Sequence, residues 1–167
     1  MGIRYYPTGP RAYIDLDGTL ADFEDSCRRH GHVPSIHKMH QGAYRQLHPM
    51  PGAIAAVQAI EAMGLHTWVL SKIPSHNAGA ASEKLEWVRQ YLPSLEDRVI
   101  ITPDKGCVGT PQDLLIDDHP EWANASAFPG KVLHFKGDWS ETVRQIQVHM
   151  AKPLSRDDEG TLDAPRG

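Results

Sequence analysis

Five short, nearly continuous apolar runs constrain this chain more than any other feature. They are Ala12-Tyr13-Ile14, Thr67-Trp68-Val69-Leu70, Val99-Ile100-Ile101, Leu114-Leu115-Ile116 and Val132-Leu133-His134-Phe135. Runs this short read as strands rather than helices. Apolar and polar residues do not alternate within them, so both faces must be covered, as in a parallel sheet. Helical patterns separate or follow the runs. Ile54, Val57 and Ile60 recur at helical spacing, with Pro51 at the expected first position and Gly64 past the end. Ala81, Leu85, Val88 and Leu92 form a second stripe. Asp138 can cap a third helix, Glu141 follows three residues on, and Val143, Ile146 and Met150 are expected to face the core. This alternation predicts an α/β fold, a Rossmann-like, doubly wound parallel sheet. Residues 22–50 break the rhythm, with five histidines and no strand. They read as a short helical cap inserted after the first strand.

Composition narrows the class. A chain of 167 residues, 40% hydrophobic and 23% charged, suits one domain with a sizeable core. We expect that domain over residues 1–150, with residues 151–167 a polar, flexible tail. Whole-chain disorder is excluded. Two cysteines, Cys27 and Cys107, exclude a disulfide scaffold and suit a reducing, cytoplasmic setting. No apolar run approaches the roughly 20 residues of a membrane helix, and Met1–Tyr5 lacks the apolar core of a signal peptide. A formal net charge of −4 argues against duplex nucleic acid as a partner.

The residues that follow the strands carry the chemistry. The first strand runs into Asp15-Leu16-Asp17-Gly18-Thr19, the second into Ser71-Lys72, the third is followed by Asp104-Lys105, and the fourth runs into Asp117-Asp118. In an open parallel sheet all of these lie at the carboxyl edge, where ligands bind at the switch in strand order. Clustered carboxylates repel unless a cation sits among them, and all-oxygen ligation suits Mg²⁺. Asp15 and Asp17, two apart on an extended segment, point to the same side. One can attack phosphorus while the other handles protons. Ser71 and Lys105 can hold phosphoryl oxygens. This inventory matches phosphoryl transfer through an aspartyl-phosphate.

Asp15-Leu16-Asp17-Gly18-Thr19-Leu20 resembles the first motif of the haloacid dehalogenase superfamily of phosphohydrolases. Ser71, Lys105 and Asp117-Asp118 fall where its other three motifs stand. Leu20–Glu24, Lys84–Val88, Arg98–Lys105 and Asp113–Asp118 are similar to the 5′(3′)-deoxyribonucleotidase family, and the likeness covers about residues 11–135. The resemblance implies Asp15 as nucleophile and Asp17 as acid and base. It implies Mg²⁺ held by Asp15, the Asp17 backbone carbonyl and Asp117, with Asp118 acting mostly through water. It places the phosphate on Ser71 and Lys105, with Lys84 assisting, and Phe23 near the nucleoside. The implied substrate is a small phosphate ester such as a nucleoside monophosphate. Lys72 stands where the family usually has a hydroxyl, Pro103 where it usually has an arginine, and the cap is short and lacks the family's aromatic pair. Lys72 is a further candidate phosphate contact.

Other readings stay open at this point. A sugar phosphate or a nucleic-acid end is an alternative ester. A phospho-acceptor switch of the receiver type uses similar residues, but in such domains the acidic pair comes early rather than late. Lys84 could equally lie on an exposed helix face. His30, His32, His37 and His40 could hold zinc, although their spacing is irregular and Cys27 is the only nearby thiol; a polar, pH-sensitive insertion is the plainer reading. His119 is expected in a loop. Trp68, Trp87, Trp122 and Trp139 are expected to pack, whereas Phe23 and Tyr44 either line the substrate or form the cap's core.

Overall fold

All five apolar runs are strands of one parallel sheet in the computed structural model, which describes residues 8–151. In chain order the elements are β1 (Arg11–Ile14), α1 (Phe23–His30), α2 (Pro34–His37), α3 (Ala53–Ala62), β2 (His66–Ser71), α4 (Ala80–Tyr91), β3 (Val99–Ile101), β4 (Leu114–Asp117), β5 (Lys131–His134) and α5 (Trp139–Met150). The strand order is β3-β2-β1-β4-β5, an α/β Rossmann-like arrangement. From β1 the chain steps outward through β2 and β3, then returns to the other side of β1 with β4. The switch therefore lies between β1 and β4, and the crevice at their carboxyl ends is where such sheets bind ligands.

The two faces of the sheet are covered differently. Ala12, Ile14, Val69, Leu114, Ile116 and Leu133 belong to a large core that includes Val57 and Ile60 of α3, Trp87 and Val88 of α4, and Ile146 of α5. Tyr13, Leu70 and Leu115 point the other way, into a smaller cluster with Ala125 and Phe128. No α-helix covers that face among the described residues; the connections 102–113 and 118–130 do, with short 3₁₀ turns. Both connections thus lie close against the sheet and carry their residues to its carboxyl edge.

Local signals explain the helix ends and three departures. Asp138 caps α5 by accepting from the Glu141 amide at 3.1 Å, as its position predicts. Pro51 is not the first helical residue: Gly52, in the left-handed region at φ +81°, takes the cap position and α3 starts at Ala53. On α4 the buried face is Ala80, Glu83, Lys84, Trp87 and Val88, so the expected stripe is rotated and Leu85 is only half-buried. Met150, expected to face the core, is 38% exposed at the last position of α5. The expected tail falls, apart from Ala151, on residues 152–167, and residues 1–7 of the expected domain likewise lie outside the described residues.

Residues 22–50 contain α1, α2 and a series of turns, with no strand. Asp22 caps α1 through the Asp25 amide at 2.8 Å. The segment is lashed to α4. Buried Glu83 accepts from the amides of Gly42 at 2.6 Å and Tyr44 at 3.1 Å, and the Trp87 indole donates to the Leu47 carbonyl at 2.9 Å. Two backbone donors compensate the burial of that carboxylate.

Candidate active site

β1 and β4 are hydrogen-bonded neighbours, with Ile14 level with Ile116. Asp15 continues β1, its amide donating to the Ile116 carbonyl at 2.9 Å, and Asp117 ends β4 beside it. Beyond Asp15 the chain folds back tightly, the Ala21 amide donating to the Leu16 carbonyl at 2.8 Å. Gly18 makes this turn possible. Its φ is +81°, and a Cβ there would lie 2.1 Å from Asp118 Oδ2. The β1 turn and the acidic pair after β4 are therefore built against each other.

Two lysines enter this acidic edge from different directions. Lys105 Nζ donates to Asp15 Oδ1 at 2.7 Å and to Asp117 Oδ2 at 2.6 Å, with little of the three side chains exposed. Lys84, fully buried on α4, donates to Asp17 Oδ2 at 2.6 Å, to Ser71 Oγ at 2.9 Å and to the Lys72 carbonyl. Lys84 thus fixes the Asp17 carboxylate and the Ser71 hydroxyl from beneath. A buried ammonium persists only with such partners.

Electrostatics follow from this packing. Burial pushes the Asp15 carboxyl up to about 7; the Lys105 ammonium opposes the rise, while Asp117 and Asp17 add to it. Burial works against the Lys105 ammonium, yet Asp15 and Asp117 outweigh it and hold the amine above its usual range. Asp118 is raised, first by burial and further by Asp117, against the pull of His119 and the Thr19 hydroxyl.

The donor set fits a hard divalent cation. Asp15, Asp117 and Asp118 offer oxygens that all lie within 4.8 Å of one another. Asp17 Oδ1 is buried without a hydrogen-bond partner. With Asp15, Asp17, Asp117 and Asp118 against the ammonium groups of Lys84 and Lys105, carboxylates outnumber cations. The Asp17 carboxylate is outside the three-acid group; the family resemblance implies its backbone carbonyl, not its carboxylate, as a metal ligand.

An open cavity of about 140 Å³ lies over these groups, lined by Asp15, Asp17, Ser71, Lys72, Lys105, Asp117, Asp118, His119, Trp122 and Ala123. Of the candidates from the sequence, Lys72 lines it with an exposed side chain, and Lys84 acts from below rather than lining it. Phe23 is outside the lining. It stacks on Tyr44 with ring centroids 5.7 Å apart and packs against the main core, so the two rings form the cap's interior.

Trp122 is a correction. Expected to pack, it is 61% exposed and lines the cavity with its ring stacked on His119. The physical reason is its place in the loop after β4, where no helix carries it into the core. A usable signal was there: Trp122 follows the acidic pair by four residues, beyond Pro120, on the same edge of the sheet. Trp87 and Trp139 are buried as expected.

The histidines of the cap do cluster. His32 Nδ1 lies 3.1 Å from His37 Nδ1, His37 Nε2 lies 2.9 Å from Ser26 Oγ, and His32 stacks on His40 at 4.4 Å. No group of three metal-ligating residues with converging atoms forms there among the described residues.

Comparison with known proteins agrees with the motif reading. A family model described as "5' nucleotidase, deoxy (Pyrimidine), cytosolic type C protein" matches residues 27–149. That span includes Ser71, Lys84, Lys105, Asp117 and Asp118; Asp15 and Asp17 precede it. A Bordetella bronchiseptica protein named "Putative 5'(3')-deoxyribonucleotidase" is 31% identical over 137 residues, 64% of this chain and 73% of that protein. The human cytosolic-type 5'(3')-deoxyribonucleotidase is 29% identical, over 65% of this chain and 70% of its own length. Among solved structures, a hydrolase from Pseudomonas syringae aligns with a TM-score of 0.48 at 14% identity, covering 81% of this chain and 90% of that one. No described helix is long and apolar enough to cross a membrane. With the model matching most of its length, this chain belongs to the deoxy-type 5′-nucleotidase family, whose members are hydrolases of phosphoric monoesters.

Proposed function

We propose that the protein is a Mg²⁺-dependent phosphomonoesterase that acts on nucleoside monophosphates through a phosphoryl-Asp15 intermediate. The observation that carries this reading is the meeting of Asp15, Asp17, Ser71, Lys105 and Asp117 around one cavity at the sheet's switch point. Asp15 attacks phosphorus; its oxygen bonds to phosphorus as the bond to the ester oxygen breaks. Asp17 protonates the departing oxygen, then takes a proton from the water that hydrolyses the acyl phosphate. Lys84 keeps the Asp17 carboxylate in place for both steps. Lys105 and the Ser71 hydroxyl hold non-bridging oxygens. Lys72, exposed at the rim, meets the charge of the incoming ester. Asp15, Asp117, the Asp17 carbonyl and, through water, Asp118 would hold Mg²⁺, which supplies charge neutralisation at Asp15 and the phosphoryl oxygens.

Residues 22–50 are the cap of a single domain extending to about residue 150. The family's cytosolic-type relative supports a cytoplasmic setting. Phosphate release from a panel of nucleoside monophosphates, sugar phosphates and phosphorylated oligonucleotides, with and without Mg²⁺, tests the reading. Mg²⁺-dependent turnover with kcat/KM highest for nucleotides is expected. A preference for the sugar phosphates overturns the substrate, and a phosphorylated protein without turnover overturns the enzyme.

A further inference from the structure

An exposed indole at the cavity mouth has no part in the phosphoryl chemistry. Trp122 is 61% exposed, and its ring lies on the His119 imidazole, centroids 3.8 Å apart and 16° from parallel. One face is therefore covered and the other is free. The ring is not loosely held. The Trp122 amide donates to the His119 carbonyl at 2.9 Å, the His119 amide donates to Asp117 Oδ1 at 2.8 Å, and His119 Nδ1 lies 2.8 Å from Glu121 Oε1.

The next two residues are strained. Ala123 and Asn124 have φ of 49° and 54°, the two non-glycine residues in the left-handed region among those described. Backbone strain of this kind persists where the surroundings enforce it, and it gathers at ligand clamps. Here the surroundings are the loop that delivers Lys105. The Lys105 amide donates to the Ala123 carbonyl at 2.7 Å, and Asn124 Nδ2 donates to Asp104 Oδ1 at 2.8 Å. The indole is thus positioned by the same residues that position the phosphate-holding lysine and Asp117.

The cavity volume says what meets it. About 140 Å³ is well below the roughly 300–1,000 Å³ of pockets that enclose drug-sized ligands. It holds a phosphoryl group and its neighbouring atoms; the rest of a nucleotide must extend through the mouth that Trp122 lines. The cap's aromatics cannot receive it, because Tyr44 is buried and Phe23 is stacked on it.

We propose that Trp122, backed by His119, is the platform on which the base of a nucleoside monophosphate stacks, so that specificity comes from the loop after β4 rather than from the cap. This rests on the nucleotidase reading above. Two substrates that differ only in the base test it: deoxyuridine 5′-monophosphate and 2-deoxyribose 5-phosphate. Base–aromatic stacking by alanine substitution is typically worth about 1–3 kcal/mol per base. The preference of the full-length enzyme for the nucleotide, as a ratio of kcat/KM, should fall about tenfold or more in Trp122→Ala, through KM, and survive in Trp122→Phe. A loss shared equally by both substrates, or no loss of preference, overturns the platform. Fluorescence supplies an arm without turnover: in Asp15→Asn, the nucleotide should quench tryptophan emission, and Trp122→Phe should remove that quenching. Quenching that persists in Trp122→Phe overturns the platform and leaves the nucleotidase reading standing. A wild-type enzyme that cleaves the sugar phosphate and neither cleaves nor binds the nucleotide sinks both.

Discussion

The sheet edge and the 22–50 segment both bury polar groups, and they do it in opposite ways. At the edge, buried ammonium groups are locked to carboxylates: Lys105 to buried Asp15 and Asp117, Lys84 to half-buried Asp17. In the cap, imidazoles lie against imidazoles and a hydroxyl, with buried His37 between His32 and Ser26. The first arrangement is charged and suits an ionic ligand. The second buries an imidazole, His37, whose burial disfavours its charged form, and it serves as scaffold. Changes at the edge should therefore remove chemistry, and changes in the cap should alter stability.

Lys105→Met should have the largest effect. It leaves Asp15 and Asp117 buried without their cation, and breaking a buried pair costs about 3–5 kcal/mol. Urea unfolding should show a loss of that order in the metal-free protein, along with near-total loss of phosphatase activity. Mg²⁺ should restore part of the stability and little of the activity. Equal stability in wild type and variant would break the contrast.

Gly18→Ala comes next. The left-handed conformation costs an alanine about 1–2 kcal/mol, and the new Cβ collides with Asp118 Oδ2. The Mg²⁺ concentration for half-maximal activity should rise as Asp118 is displaced. An unchanged Mg²⁺ titration would detach Asp118 from the metal.

Glu83→Gln probes the tie between the two regions. Glu83 accepts from two buried amides, and the variant replaces one of its acceptor oxygens with an NH₂ donor that faces an amide N–H. Roughly 1–3 kcal/mol of stability should go, with faster amide exchange at Gly42 and Tyr44 and little change in kcat. A collapse of kcat instead would mean that the cap contributes chemistry.

His37→Gln should give the smallest effect, visible only with pH. Burial, first, and then the neighbouring His30, His32, His40 and Arg29 hold His37 below its ordinary 6.5. Ser26 and Phe23 also face it. Above pH 6.5 both folded and unfolded forms are neutral at this site and stability is full. As pH falls below 6.5, the unfolded chain takes up the proton first, and stability declines until the folded imidazole also charges. Unfolding free energies at pH 7.5 and 5.5 should differ less in the variant than in wild type. An unchanged difference would place the cap's pH sensitivity elsewhere.

Much of the edge was legible because strand geometry fixes it. Asp15, Ser71 and Asp117 sit at or next to the last positions of β1, β2 and β4, so locating the apolar runs located them. Two features were legible only in part: the resemblance named Lys84 and chain position left a signal for Trp122, but neither revealed the contacts that hold them. Lys84 is buried against the polarity of its side chain, because its partners Asp17 and Ser71 lie far away in the chain and rotate the buried face of α4 off the apolar stripe. Trp122 sits where it does through left-handed backbone at Ala123 and Asn124 and hydrogen bonds to the Lys105 loop, and no periodicity encodes either. The cap's helices were expected, but the inward stacking of Phe23 on Tyr44 depends on packing that spacing alone does not reveal.

The central claim is that Asp15 takes the phosphoryl group. Acid quenching of the enzyme during turnover of a nucleoside monophosphate, followed by peptide mass mapping, tests it most directly. The account predicts one phosphoryl group on the peptide carrying Asp15, absent from Asp15→Asn, which should not turn over. A phosphoryl group on another residue, or an Asp15→Asn protein that hydrolyses the ester at the wild-type rate, would contradict it.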